Sequence, residues 1–212
     1  LLQPARKANI FFIPLVSAAL LGSGWILLHK EKVEATVSNL YLIPNDRLLI
    51  RDEELDRINQ MFTSHEDPEQ NPVISVVGIG GSGKTTLSRT YGKRKRPHLS
   101  WELNARSKES LEESIETLAS TVGDVDTLSQ KEYEHISKGF EGRERLQKLI
   151  NFIKRYLKKH PGWILIFDDL QEDYGNIQKY LPLDKNICGE GKIIVTTRNA
   201  NIKIALDDKV LE

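Results

Sequence analysis

The sequence predicts a three-layer α/β domain on a mainly parallel sheet, and three observations carry that expectation. Short apolar runs alternate with amphipathic helical stretches from Pro72 onward. A glycine-rich turn, residues 78–83, joins the first of those runs to a helix. A later run, Trp163 to Phe167, ends in two carboxylates, Asp168 and Asp169. The bulk numbers agree with a folded chain: of 212 residues, 39% are hydrophobic and 28% charged. Lys and Arg total 30, as do Asp and Glu, so the overall charge gives no reason to expect a nucleic-acid partner. One cysteine, Cys188, leaves no intrachain disulfide and fits a reducing compartment.

The elements follow in order. Arg51 to Phe62 reads as a helix, because Leu55, Ile58 and Phe62 recur at three and four residues and Asp52, Glu53 and Glu54 occupy its first turn. Val73 to Val77, between Pro72 and Gly78, reads as a buried strand. Thr85 to Lys93 begins a helix, and Leu99 to Leu103 alternates as a second strand. Leu111, Ile115, Leu118, Ala119 and Val122 mark the inner face of the next helix; residues 123–141 are polar and irregular. Arg143 to Lys159 is a helix with Leu146, Leu149, Ile150, Ile153 and Leu157 on one side, stopped by His160-Pro161-Gly162. Its basic residues lie mostly opposite and read as a solvated face. Trp163 to Phe167 and Lys192 to Thr196 supply the third and fourth strands. The domain is expected over 46–212, stopping before its last strand. A chain that begins at Leu1 is expected to be part of a longer protein.

Ahead of it, Ile10 to Leu28 is a run of nineteen residues without a charge, with Arg6 and Lys7 before it and Lys30, Glu31 and Lys32 after. About 20 apolar residues span a bilayer core. Its eleven Leu, Ile, Phe and Val residues contribute about −0.3 to −0.6 kcal/mol each towards insertion. The preferred reading is a transmembrane helix over 10–28, with a tail at 1–9 and a linker at 29–45. A secretory signal, a buried helix and misread upstream sequence are the alternatives. A membrane span would make the membrane a partner and place the following domain in the cytoplasm; without the span the protein is expected to be cytoplasmic.

Gly78-Ile79-Gly80-Gly81-Ser82-Gly83-Lys84-Thr85-Thr86 satisfies G-x-x-x-x-G-K-[ST] between a strand and a helix, the context that this motif requires. Gly78, Gly80, Gly81 and Gly83 let the backbone approach an anion, and the amides from Gly81 through Ser82 to Thr85 form a concave nest. Lys84 brings a full charge to the β- and γ-phosphates, and the Thr85 hydroxyl is placed to ligate Mg²⁺. Asp168, at the end of its strand, would hold Mg²⁺ through water, and Asp169 would orient the attacking water or accept its proton. Lys192 to Asn199 repeats the pattern of a buried strand running into polar residues, which leaves Arg198 able to reach a γ-phosphate.

Together, Gly78 to Thr86, the strand ending in Asp168-Asp169 and Ile193 to Arg198 (IIVTTR) resemble the NB-ARC subgroup of the STAND signal-transduction NTPases. Ser100 to Asn104 is similar to the family's second-strand motif. Leu49-Ile50-Arg51 sits where the family places a small motif on the adenine side, with Ile50 where glycine is usual. The resemblance implies a regulated switch that rests with ADP, changes shape on exchange for ATP and hydrolyses slowly. It implies phosphate-binding roles for Lys84, Thr85 and Thr86, a Mg²⁺ role for Asp168, a water-side role for Asp169, a γ-phosphate sensor in Arg198 and an adenine-side contact in Arg51. It also implies self-association or an effector partner through regions beyond this sequence. The rival expectation is a turnover ATPase, a motor or kinase-like enzyme of another phosphate-loop branch; rapid hydrolysis without a signal would mark it.

Overall fold

The computed structural model describes residues 36–41, 51–171, 177–199 and 210–211. Among them, six parallel strands form one sheet: β1 (Val37–Ser38), β2 (Val73–Val77), β3 (Leu99–Asn104), β4 (Trp163–Leu170), β5 (Gly191–Thr197) and β6 (Val210–Leu211), in the order β1-β3-β4-β5-β2-β6. The helices are α1 (Asp52–Thr63), α2 (Lys84–Lys95), α3 (Lys108–Gly123), α4 (Thr127–Gly139), α5 (Gly142–Lys159) and the short α6 (Lys185–Cys188).

Both faces of the sheet are covered, which is why its strands read as nearly unbroken apolar runs. Alternate residues of each strand divide between two cores. Ile74, Val76, Ile164, Ile166 and Ile194 pack with Leu55, Ile58 and Phe62 of α1 and Leu87 and Tyr91 of α2. Val73, Trp101, Trp163, Leu165, Phe167, Ile193 and Val195 pack on the other side with the inner faces of α3 and α5. Three layers result, as the alternation of strands and helices predicts.

The expected fold class needs one correction. No helix among the described residues is long and apolar enough to cross a membrane, so the transmembrane helix expected at 10–28 is withdrawn from the fold class. That segment itself lies outside the described residues. Nineteen uncharged residues meet a necessary length condition, but hydropathy alone does not make a run helical. The longest described helix, α5 at 18 residues, is amphipathic: Leu149, Phe152, Ile153 and Leu157 are buried, and Lys158 and Lys159 close its last turn.

Two further elements differ from expectation. Residues 127–139, within the stretch read as irregular, form α4; Ile136 is its one buried residue, too little for a periodic signal. Its start is fixed by Asp126, whose carboxylate accepts from the Leu128 and Ser129 amides. Val37–Ser38, inside the stretch read as linker, is the edge strand β1 beside Leu99 and Ser100. The Asn39 side chain continues the ladder: it accepts from the Glu102 amide at 2.8 Å and donates to the Glu102 carbonyl at 2.9 Å.

Candidate functional site

The all-parallel sheet brings the ends of β2, β3, β4 and β5 to one edge, where open α/β sheets bind ligands. β2 runs into the loop at 78–83. Gly81 and Gly83 have φ of 80° and 89°, a left-handed conformation that strains any residue with a Cβ. The Gly78 amide donates to the Thr197 carbonyl at 3.3 Å, which ties the start of the loop to β5. Ser82 donates its amide to the Ile79 carbonyl, also at 3.3 Å, and closes the turn.

Gly83 is the N-cap of α2, and the helix begins with no side-chain cap and no acid in its first turn. Every other described α-helix has one or the other. The first amides of α2 are therefore left to an outside anion, favoured by the positive end of the helix dipole. At the first helical position, Lys84 donates to the Gly78 and Ile79 carbonyls at 2.8 Å each, which holds its ammonium against the loop. Thr86 follows two positions on, half-buried, its carbonyl accepting from the Thr90 hydroxyl. Arg89 makes two bonds to Glu102, at 2.5 and 2.6 Å, and pins α2 to β3.

Thr85 reaches across to β4: its hydroxyl donates to Asp168 Oδ1 at 2.7 Å. The same oxygen accepts from the Thr196 hydroxyl of β5, also at 2.7 Å. Just past this point the pairing of β4 with β5 steps from Phe167–Val195 to Leu170–Thr197. Between those pairs Asp168 and Asp169 face the single residue Thr196, a β-bulge. Asp169 is the displaced residue, at φ 57°, with its amide donating to Thr196 Oγ1 at 2.9 Å. A regular strand would aim neighbouring side chains to opposite faces; the bulge breaks that alternation at the acid pair. Asp169 Oδ1 lies 3.4 Å from Arg198 Nε. Its Oδ2 lies 4.0 Å from Arg106 Nε and accepts from Gln171 Nε2 at 3.1 Å.

Two arginines flank the loop. A methyl group on Gly80 would sit 3.5 Å from the Arg198 guanidinium, and one on Gly83 would sit 3.6 Å from that of Arg51. Beside the loop, Arg51, Glu54, Val76, Ile79, Leu87 and Leu211 help to line a cleft of about 250 Å³. Ile79 is 80% exposed, an apolar side chain presented at the loop's tip. The structure thus gathers Gly78 to Thr86, Asp168, Asp169, Arg198 and Arg51 at one edge.

The residues present suit a polyphosphate and a hard cation. An uncapped helix start and a lysine are anion donors, and the Thr85 hydroxyl and Asp168 carboxylate are hard oxygens matched to Mg²⁺, which needs few protein ligands beside phosphate and water. Among the described residues no cluster of three or more His, Cys, Asp or Glu could form a dedicated metal cage. Sequence reasoning missed Thr196 as a partner of Asp168, together with Arg106 and Gln171 around Asp169. For Thr196 a signal existed in a threonine pair at the end of a buried strand. No pattern in the sequence singles out Arg106, which follows β3 on a turn.

The family model described as NB-ARC domain matches residues 51–211. Among solved structures, the chain is similar to the crystal structure of Cdc6p from Pyrobaculum aerophilum, with a TM-score of 0.51 and 14% identity. The match covers 81% of this chain and 46% of that one, so this chain spans less than half of that protein's length. At that identity the likeness concerns the fold. No curated protein matches the chain.

Proposed function

The chain belongs to the NB-ARC domain family, and from that membership we propose that this nucleotide-binding phosphate-loop domain is an ATP/ADP switch with slow, magnesium-dependent hydrolysis. The observation that carries the proposal is the contact of Thr85 with Asp168 directly after an uncapped helix start. It joins a phosphate cradle to a carboxylate from another strand, the pairing that nucleotide–metal recognition needs.

Each residue then has a task. The amides from Gly81 to Thr85 bind the β-phosphate region, and Lys84 exchanges its two loop carbonyls for phosphate oxygens, a stronger charged partner. Thr85 and Asp168 would hold Mg²⁺, whose role when bound is to neutralise phosphate charge. The cleft beside the loop, which Arg51, Glu54, Ile79 and Leu211 help to line, would take the base. Arg198, whose guanidinium lies beside Gly80, would contact the terminal phosphate. Asp169 orients water at that phosphate and accepts its proton.

Slow turnover is favoured by the engagement of Asp169. Both of its carboxylate oxygens face cations or an amide donor, partners that compete with an attacking water for the same oxygens. The test is turnover by the purified chain with ATP and Mg²⁺. A switch retains ADP through purification and turns over well below the roughly 1–1000 per second of ordinary enzymes. Turnover inside that range without any activator would contradict the proposal.

A further inference from the structure

Asp169 stands between two guanidiniums that come from different strands. Arg198, at the end of β5, faces Oδ1 at 3.4 Å; Arg106, on the turn after β3, faces Oδ2 at 4.0 Å. The three chain segments are tied to one another through their backbone amides. Asp169 is held by its bulge and by the Thr196 hydroxyl. The Arg106 amide is anchored by the Asn104 side chain at 3.2 Å, and the Ala105 amide by the Asp168 carbonyl at 2.8 Å. Arg198 reaches from Asp169 to beside Gly80, where a Cβ would lie 3.5 Å from its guanidinium, so one guanidinium neighbours both the acid and the phosphate loop.

A terminal phosphate and Asp169 compete for Arg198, because both are oxyanions within reach of one guanidinium. The cost of transferring Arg198 to phosphate depends on what Asp169 keeps when it leaves. With Arg106 in place, Asp169 retains a cation; without it, the acid loses its last guanidinium and holds Arg198 more tightly. A residue that never needs to touch the nucleotide therefore biases the contest between triphosphate and acid.

We propose that Arg106 is a positioning residue that sets the preference of this site for ATP over ADP, by accepting Asp169 when Arg198 turns to the γ-phosphate. The inference rests on the switch reading above. Its effect is confined to the triphosphate, since ADP brings no group that competes for Arg198. It also runs wholly through Asp169, so it disappears when that carboxylate is neutral.

Calorimetric titration of the chain with Mg-ATP and with Mg-ADP tests it in wild type, Arg106→Ala, Arg106→Lys, Asp169→Asn and the Arg106→Ala/Asp169→Asn double variant. Exposed ion pairs of this kind are worth about a two- to fivefold change in affinity. Arg106→Ala is expected to weaken ATP by that factor and leave ADP unchanged, with Arg106→Lys restoring most of the loss. In the Asp169→Asn background, adding Arg106→Ala is expected to change nothing. Equal weakening of both nucleotides, an unchanged ATP affinity, or additive effects in the double variant would each overturn the inference alone. A wild-type chain that binds neither nucleotide overturns the switch reading and this inference with it.

Discussion

Thr85 and Asp168, 83 residues apart in sequence, meet at 2.7 Å, hydroxyl to carboxylate, at the edge where β2 and β4 end. The strands that deliver them are not neighbours: β5 lies between, and its Thr196 bonds the same carboxylate oxygen. One oxygen thus ties the helix after the phosphate loop to two central strands, so the geometry of the cradle depends on the packing of the sheet beneath it.

Lys84→Ala should weaken ATP binding by about 1.5–3 kcal/mol, the usual worth of a lost charged hydrogen bond. The fold should survive, because the lysine bonds only to carbonyls of its own loop. Calorimetry checks the first point and a thermal melt the second; an unchanged affinity would count against the cradle.

Asp168→Asn should abolish the gain in nucleotide affinity on adding Mg²⁺ while leaving the protein folded. The amide oxygen can still accept from Thr85 and Thr196, but the negative charge that suits a divalent cation is gone. Titrating nucleotide with and without magnesium decides it, and a variant with the wild-type magnesium increment would refute the assignment.

Asp169→Asn should slow hydrolysis by about 10²–10⁴-fold, the usual contribution of a positioned acid–base group. Nucleotide affinity should not fall. Single-turnover kinetics beside calorimetry separate the two, and a loss of binding would show that its carboxylate holds the site together instead.

Gly191→Ala should destabilise the domain by about 1–3 kcal/mol, a typical cost of overpacking. A Cβ there would lie 2.1 Å from the Trp163 ring, which is held in place by a 3.0 Å bond from its indole nitrogen to the Cys188 carbonyl. Chemical denaturation measures this, and an unmoved midpoint would mean that the ring can shift.

Burial pushes the Cys188 thiol up to about 11, so at pH 8 the native chain carries almost no thiolate there. Because the folded value lies above the ordinary one of 9.0, its contribution to stability is complete below pH 9 and is lost as pH rises towards 11. Alkylation at pH 8 should track unfolding; rapid labelling of the native protein would contradict the burial.

The central strands were legible because a sheet covered on both faces must be apolar along its whole length, as Val73 to Val77 and Trp163 to Phe167 are. The cradle was legible because left-handed turns restrict sequence, and Gly81 and Gly83 answer that restriction. What stayed hidden obeys weaker local rules. A two-residue edge strand such as β1 has no period to detect, and α4 buries only Ile136. β4 runs on to Leu170 past its apolar core, through a bulge that shows only in the pairing of two strands. Arg106 acquires its place beside Asp169 from the order of strands, which no single segment encodes.

The most direct test of the nucleotide site is the melting temperature of the purified chain, wild type and Lys84→Ala, with Mg²⁺ and either ADP or ATP at concentrations that saturate the site. A ligand present at 100 times its Kd adds about 2.7 kcal/mol to the stability of the state that binds it. A melting temperature that rises with nucleotide in the wild type, and rises much less in Lys84→Ala, is the result predicted. A wild-type melt that neither nucleotide moves would contradict the account.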